Sequence, residues 1–278
     1  MIDSIAFVDR NYVNVNAHEL AHQWFGDMVT EVDGNHHWLQ EGFATYYALL
    51  AEKEIFGDEY FYWKLYDSAK ELQKLSNDGK GEALSDPKAS SLTFYDKGAW
   101  ALVMLKELVG DTAFKTGIRD YLKKYQFKNV TISDFLAQME QDSGKDLSDF
   151  KRTWLDGTAF PEDQVRKRLM DASAIIASFY ALQHEMTASS GNSEAIIQRV
   201  WNNTNSALLK RRIVERYFKS LSTDFIRNAF DSNDIEIRQA LAIATDKIST
   251  DMKPEFESLL NDKSYVTIEN ALYKLWIY

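Results

Sequence analysis

At 278 residues, with 45% hydrophobic and 27% charged side chains, the chain holds enough apolar material for one large core or two ordinary ones, which excludes bulk disorder and a small stapled scaffold. It has no cysteine, so disulfides, thiolate nucleophiles and sulfur-ligated metals are excluded, and any metal must be held by imidazole and carboxylate. Lys and Arg number 32 against 42 Asp and Glu, a formal charge of -10, and no long basic run offers a surface for nucleic acid or an anionic membrane.

Nothing near Met1 has the basic, apolar and small-residue order of a secretory leader, and no apolar run reaches the roughly 18 residues needed to span a bilayer. The sequence assigns no compartment. Helical spacing of aromatic and aliphatic residues dominates, so a mainly α fold is expected. Asn14 or Asn16 caps a first helix running to about Phe25, where Gly26 and Asp27 interrupt the pattern. Met28 to Val32 reads as a short extended crossing, Asp33-Gly34-Asn35 as a turn, and His36 to Lys53 as a second helix. Further helices are expected at Asp58 to Leu75, Asp96 to Val109, Thr112 to Tyr125, Ile132 to Asp142 and Leu147 to Leu155. Ser76 to Ser91, rich in Gly, Ser, Asp and Lys, reads as an exposed loop without apolar anchors.

Gly157 and Pro161 mark a break between a unit at residues 1–160 and one at residues 161–278. The second shows repeated amphipathic helices. Asp231, Ile235, Ile237, Ala240 and Leu241 are echoed by Asp262, Val266, Ile268, Ala271 and Leu272 at a constant offset of 31, a spacing compatible with stacked helix pairs.

The chemistry concentrates in His18-Glu19-Leu20-Ala21-His22. Four helical residues advance the chain by about 400° and 6 Å, so both imidazoles share one face, a turn apart, and can reach one ion. Glu19 points about 100° away from His18, within reach of a water on that ion without ligating it. A third ligand is available in Glu41, after 18 intervening residues from His22, which is room for the first helix to end and a second to return alongside. Two histidines and a glutamate suit a single zinc ion and leave its fourth position open, the mark of a reactive site. His36 and His37 are adjacent and diverge by about 100°, so at least one of them is expected to be exposed or to cap a helix. His184 reads as a surface or packing residue, and Tyr60-Phe61-Tyr62-Trp63 as helix packing.

The stretches His18-Glu-Leu-Ala-His-Gln-Trp-Phe-Gly26, Val29-Thr30, Trp38-Leu-Gln-Glu-Gly-Phe-Ala44 and Tyr95-Asp-Lys-Gly-Ala99 resemble the catalytic core of the M1 family of zinc aminopeptidases, a gluzincin family. The resemblance runs from about residue 12 to residue 160 and continues more loosely into the helical remainder. It implies a truncated thermolysin-like catalytic domain followed by a HEAT- or ARM-like helical-repeat region. It also implies His18, His22 and Glu41 as zinc ligands, Glu19 as general base, Tyr95 as stabiliser of the tetrahedral intermediate, and a peptide as substrate. Lys97 is expected to fix local structure or to lie at the surface, and Gly98 to permit close packing at the start of the next helix.

Two departures accompany the resemblance. Asp33-Gly34 stands where members carry an aromatic pair, and the Gly-x-Met-Glu-Asn motif that grips the substrate amine does not occur. The expectation is therefore a fragment or divergent paralogue that binds zinc but turns over aminopeptidase substrates poorly without a missing N-terminal portion. The competing functions are a zinc endopeptidase and a noncatalytic helical-repeat module that binds peptide or protein.

Overall fold

The computed structural model describes residues 8–10, 12–189, 191 and 193–278; the opening residues read above for a leader lie outside these. Helix α1 (Val13–Ala21) ends earlier than the pattern suggests. The chain leaves the helix in a turn in which Asp27 N–H reaches His22 O at 2.9 Å, and Gly26 adopts φ +148°, where a Cβ would stand 3.0 Å from that same carbonyl. The turn lets Phe25 fold back and bury, 4% exposed, so that the chain reverses within a few residues.

Strand β1 (Val29–Glu31) realises the expected extended crossing, but its partner was not legible: β2 (Lys128–Val130) lies beside it in parallel, with Val29 opposite Lys128 and Glu31 opposite Val130. A parallel pair needs a long crossover. Here it consists of α2 (Trp38–Phe56), α3 (Asp58–Asn77), a π-helical turn (Thr93–Lys97), α4 (Gly98–Val109) and α5 (Asp111–Tyr125). Helix α6 (Ile132–Ser143) follows, opened by a reciprocal cap between Thr131 and Asp134. The helix expected over Leu147 to Leu155 is a short α turn, Ser148–Phe150, continued as π helix through Lys151–Asp156.

Helix α2 is the axis of this unit. Trp38, Leu39, Phe43, Ala44, Tyr46, Ala48 and Leu49 are all buried, which requires neighbours on several sides, and α1, α3 and α4 supply them. Phe43 stacks on Phe25 at 4.1 Å between ring centroids and meets the edge of Phe135 at 5.3 Å, joining the first turn of the chain to α6. Phe61 and Trp63 are buried on α3, as a packing role requires.

Helices α2 and α4 cross at a pair of glycines. A Cβ on Gly98 would lie 2.8 Å from Gly42 Cα, and one on Gly42 would lie 2.9 Å from Gly98 Cα. Both obstacles are backbone and cannot rotate away. Gly98→Ala must therefore push the helices apart, and a loss of about 2–3 kcal/mol is expected from this overpacking. Denaturant unfolding followed by fluorescence of Trp38, Trp63, Trp100 and Trp154, all buried in this unit, measures it; an unchanged midpoint would show that the crossing has slack.

The segment expected to be an unanchored loop is anchored. Leu84 is fully buried, and Glu82 Oε2 accepts from Ser90 N–H at 2.8 Å, Ser90 Oγ at 2.6 Å and Thr93 Oγ1 at 2.6 Å. One apolar residue and one carboxylate suffice to pin a polar stretch whose composition shows neither contact.

The chain separates into two compact units, Val13–Leu169 and Met170–Tyr278, the latter joined by the described residues up to Tyr12. The second unit is helical: α7 (Glu162–Ala172) enters it, followed by α8 (Ala174–Ala188), α9 (Ser193–Asn203), α10 (Ala207–Tyr217), α11 (Thr223–Asp231), α12 (Ile235–Ala244), α13 (Lys253–Ser258) and α14 (Tyr265–Ile277). Its core includes Val214, Phe230, Ile237, Leu241, Phe256 and Ala271. The 31-residue echo holds at Ala240 and Ala271, both fully buried, and fails at Leu241 and Leu272, since the first is buried and the second is 58% exposed. Among the described residues no helix is long and apolar enough to cross a membrane.

Candidate metal centre

His18 lies near the C-terminal end of α1 and His22 in the turn just beyond it, yet His22 N–H still bonds to His18 O at 3.3 Å, so the helical offset between the two rings survives. Glu41 stands in the first turn of α2, and the packing of α1 on α2 closes the gap between them. His18 Nε2 is 3.2 Å from His22 Nε2 and 3.1 Å from Glu41 Oε2, and His22 Nε2 is 3.5 Å from the same oxygen. Donor atoms bound tetrahedrally to zinc at about 2.0–2.1 Å stand about 3.3 Å apart. The three donors therefore already have the spacing of one face of that tetrahedron, and they are the group of the described residues able to hold a metal ion.

The surroundings support ligation. His22 Nδ1 is 2.9 Å from Phe25 O. A carbonyl only accepts, so Nδ1 donates to it, a contact that fixes the ring orientation with Nε2 toward His18 and Glu41. Burial pushes the Glu41 carboxyl up, but hydrogen bonds from His18 and Tyr95 and the charges of His22 and His18 outweigh it, holding the group below its usual range and so ionised.

Tyr95, the residue that spacing could not have selected, sits in the π-helical turn directly beside this cluster. Its ring stacks on His18 with centroids 5.2 Å apart and planes within 6°, and its hydroxyl donates to Glu41. The Gly42–Gly98 crossing accounts for its position, since Gly42 follows Glu41 directly and Gly98 comes one turn after Tyr95. Burial, the hydrogen bond to Glu41 and the negative charges of Glu41 and Glu19 all raise the Tyr95 pKa, so the phenol keeps its proton and remains a donor. Glu19 is exposed and is not a member of the ligand cluster.

Lys97, expected to fix local structure or lie at the surface, does the former. It is 2% exposed and donates to Glu82 O and Gly157 O, both at 2.6 Å, holding two distant chain segments against the turn that carries Tyr95. Burial brings its pKa down to about 8.

The adjacent histidines part company. His36 Nδ1 accepts from Ile132 N–H at 3.3 Å, whereas His37 turns toward the cluster, with Nδ1 2.9 Å from Glu31 Oε1 and Nε2 3.7 Å from Glu41 Oε1. Glu31 carried no expectation, and His37 was expected only as one of a pair of which at least one is exposed or caps a helix. The i,i+4 spacing of His37 and Glu41, the same offset that relates His18 to His22, was the available signal.

Comparison with known proteins agrees with this geometry. The Peptidase family M1 domain matches residues 3–154, more than half of the chain. Aminopeptidase M1-D of rice, Oryza sativa, is 26% identical over 281 residues, covering 97% of this chain and 31% of its own length. Probable aminopeptidase 2 of Sulfurisphaera tokodaii is 34% identical over 158 residues, covering 53% of this chain and 20% of its own length. The chain thus spans about a fifth to a third of these relatives. Leukotriene A4 hydrolase of Saccharomyces cerevisiae superposes over 96% of this chain and 49% of its own with a TM-score of 0.55 at 19% identity, a likeness of fold. The family match, together with a His, His and Glu cluster set at metal-binding spacing, establishes that the chain belongs to peptidase family M1.

Proposed function

We propose that the chain is the zinc-binding part of an aminopeptidase-type metallopeptidase that releases N-terminal residues from peptides. The observation that carries this reading is the set of three donor atoms spaced 3.1–3.5 Å apart with a protonated phenol stacked beside them. His18, His22 and Glu41 would hold one zinc ion, which when bound polarises a carbonyl oxygen and lowers the pKa of a water. Glu19, one residue beyond His18, accepts a proton from the attacking water and returns it to the departing amine. Tyr95 donates a hydrogen bond to the oxygen on which negative charge develops, a contact that strengthens as the reaction proceeds. The thermolysin-like character of residues 1–160 and the HEAT- or ARM-like character of residues 161–278 are part of the same proposal.

Calorimetric titration of metal-free protein with zinc is expected to show one saturable site per chain, and peptide cleavage is expected to require a free amino terminus. Cleavage of amino-blocked peptides at internal bonds would establish an endopeptidase instead. Absence of saturable zinc binding would leave the helical unit's peptide- or protein-binding capacity as the surviving function.

A further inference from the structure

The two oxygens of Glu41 face different neighbours. Oε2 is turned toward His18 and His22, whereas Oε1 faces His37 Nε2 at 3.7 Å. His37 is itself held on two other sides. Its Nδ1 lies 2.9 Å from Glu31 Oε1, and its ring packs edge-on against Phe94 with centroids 4.9 Å apart. Glu31 in turn sits on strand backbone. It pairs with Val130 across the sheet, its carbonyl accepts from Asn129 Nδ2 at 3.0 Å, and the following Val32 N–H bonds to Val130 O at 3.0 Å.

One atom in this arrangement is costly. Glu31 Oε2 is buried and meets no hydrogen-bond donor among the described residues. An unsatisfied buried carboxylate oxygen is expensive, and such an atom calls for an explanation. Glu31 does not reach the three-ligand cluster, so its burial is not explained by ligation.

We infer that Glu31 and His37 are positioning residues of the metal centre: the strand fixes Glu31, Glu31 fixes the His37 imidazole, and His37 engages Glu41 Oε1 so that Oε2 is presented to the metal. A carboxylate free to rotate would spread its two oxygens over many orientations, and holding one of them narrows that set before the ion arrives. The inference rests on the zinc reading of His18, His22 and Glu41 and adds an outer layer to it.

The test is zinc affinity of the full chain, measured by competition with a chromophoric chelator, together with the visible absorption of the cobalt-substituted protein, which reports ligand geometry directly. His37→Phe keeps a planar ring against Phe94 and removes both nitrogens. Its zinc affinity is expected to fall about ten-fold or more, with a changed cobalt spectrum and an unchanged melting temperature of the metal-free protein. His37→Gln can return an amide nitrogen toward Glu41 and is expected to recover most of that loss. Should His37→Phe fail to fold, Glu31→Ala carries the test, with a loss in the same direction. Wild-type binding with affinity unchanged within about two-fold in both His37→Phe and Glu31→Ala, and an unchanged cobalt spectrum, overturns the inference while leaving the zinc reading intact. Failure of the wild-type chain to bind zinc overturns both.

Discussion

Glu41→Ala is expected to abolish zinc binding in the micromolar range, lowering affinity at least about a thousand-fold, because it would remove the only anionic member of the proposed ligand set and leave two imidazoles to hold a divalent ion. The effect should exceed that of a ligand lost from a saturated site. The three donors already stand close to the spacing zinc requires. His37 does not replace it, since its nitrogens lie outside the group of donor atoms that could share one ion. Glu41→Gln provides the matched control, keeping the volume and an acceptor oxygen while losing the charge. Metal content after equilibration in buffered zinc, read by atomic emission, distinguishes the outcomes. A full equivalent of zinc in Glu41→Ala would show that the ligand set has been misassigned.

Glu19→Gln should separate binding from chemistry. Glu19 is exposed and lies outside the ligand cluster, so its amide variant is expected to bind zinc as the wild type does. An amide cannot serve as the general base proposed for Glu19, and general base catalysis of this kind is worth about 10²–10⁴-fold, so whatever hydrolysis of an amino-acid anilide the wild-type chain supports, small without the missing N-terminal portion, should fall by that factor. Tyr95 would still be present to polarise the substrate and account for any residual rate. The two measurements belong together, zinc stoichiometry beside turnover on the same preparation. Equal rates in wild type and variant would remove Glu19 from the chemistry, and lost zinc in the variant would make it a structural or ligating residue instead.

The cluster was legible to unequal depths. His18 and His22 follow from the 3.6-residue period alone, because a helix fixes the relation of residues four apart regardless of what packs around it. Glu41 follows from its residue type and a separation that permits a helical return. Tyr95 came only through family resemblance: it lies in a π-helical turn, and no local period connects position 95 with positions 18 to 41. Glu31 and His37 stayed hidden because their connection runs from a strand through an imidazole to a helix.

The sequence by itself determined the helical class, the absence of sulfur chemistry, a short extended crossing within Met28 to Val32, and the presence of a histidine pair with a glutamate at workable separation. These are consequences of composition and of periods spanning a few residues, which the backbone imposes locally. Only the tertiary structure decided that β1 pairs with β2, that Leu84 and Lys97 pin a polar segment, and that Tyr95 rests on His18. Each depends on residues far apart in the chain being forced together, as when Gly42 and Gly98 allow two helices to approach to backbone contact. Such proximity follows from how side-chain volumes fill a shared core, and no window of consecutive residues contains that information.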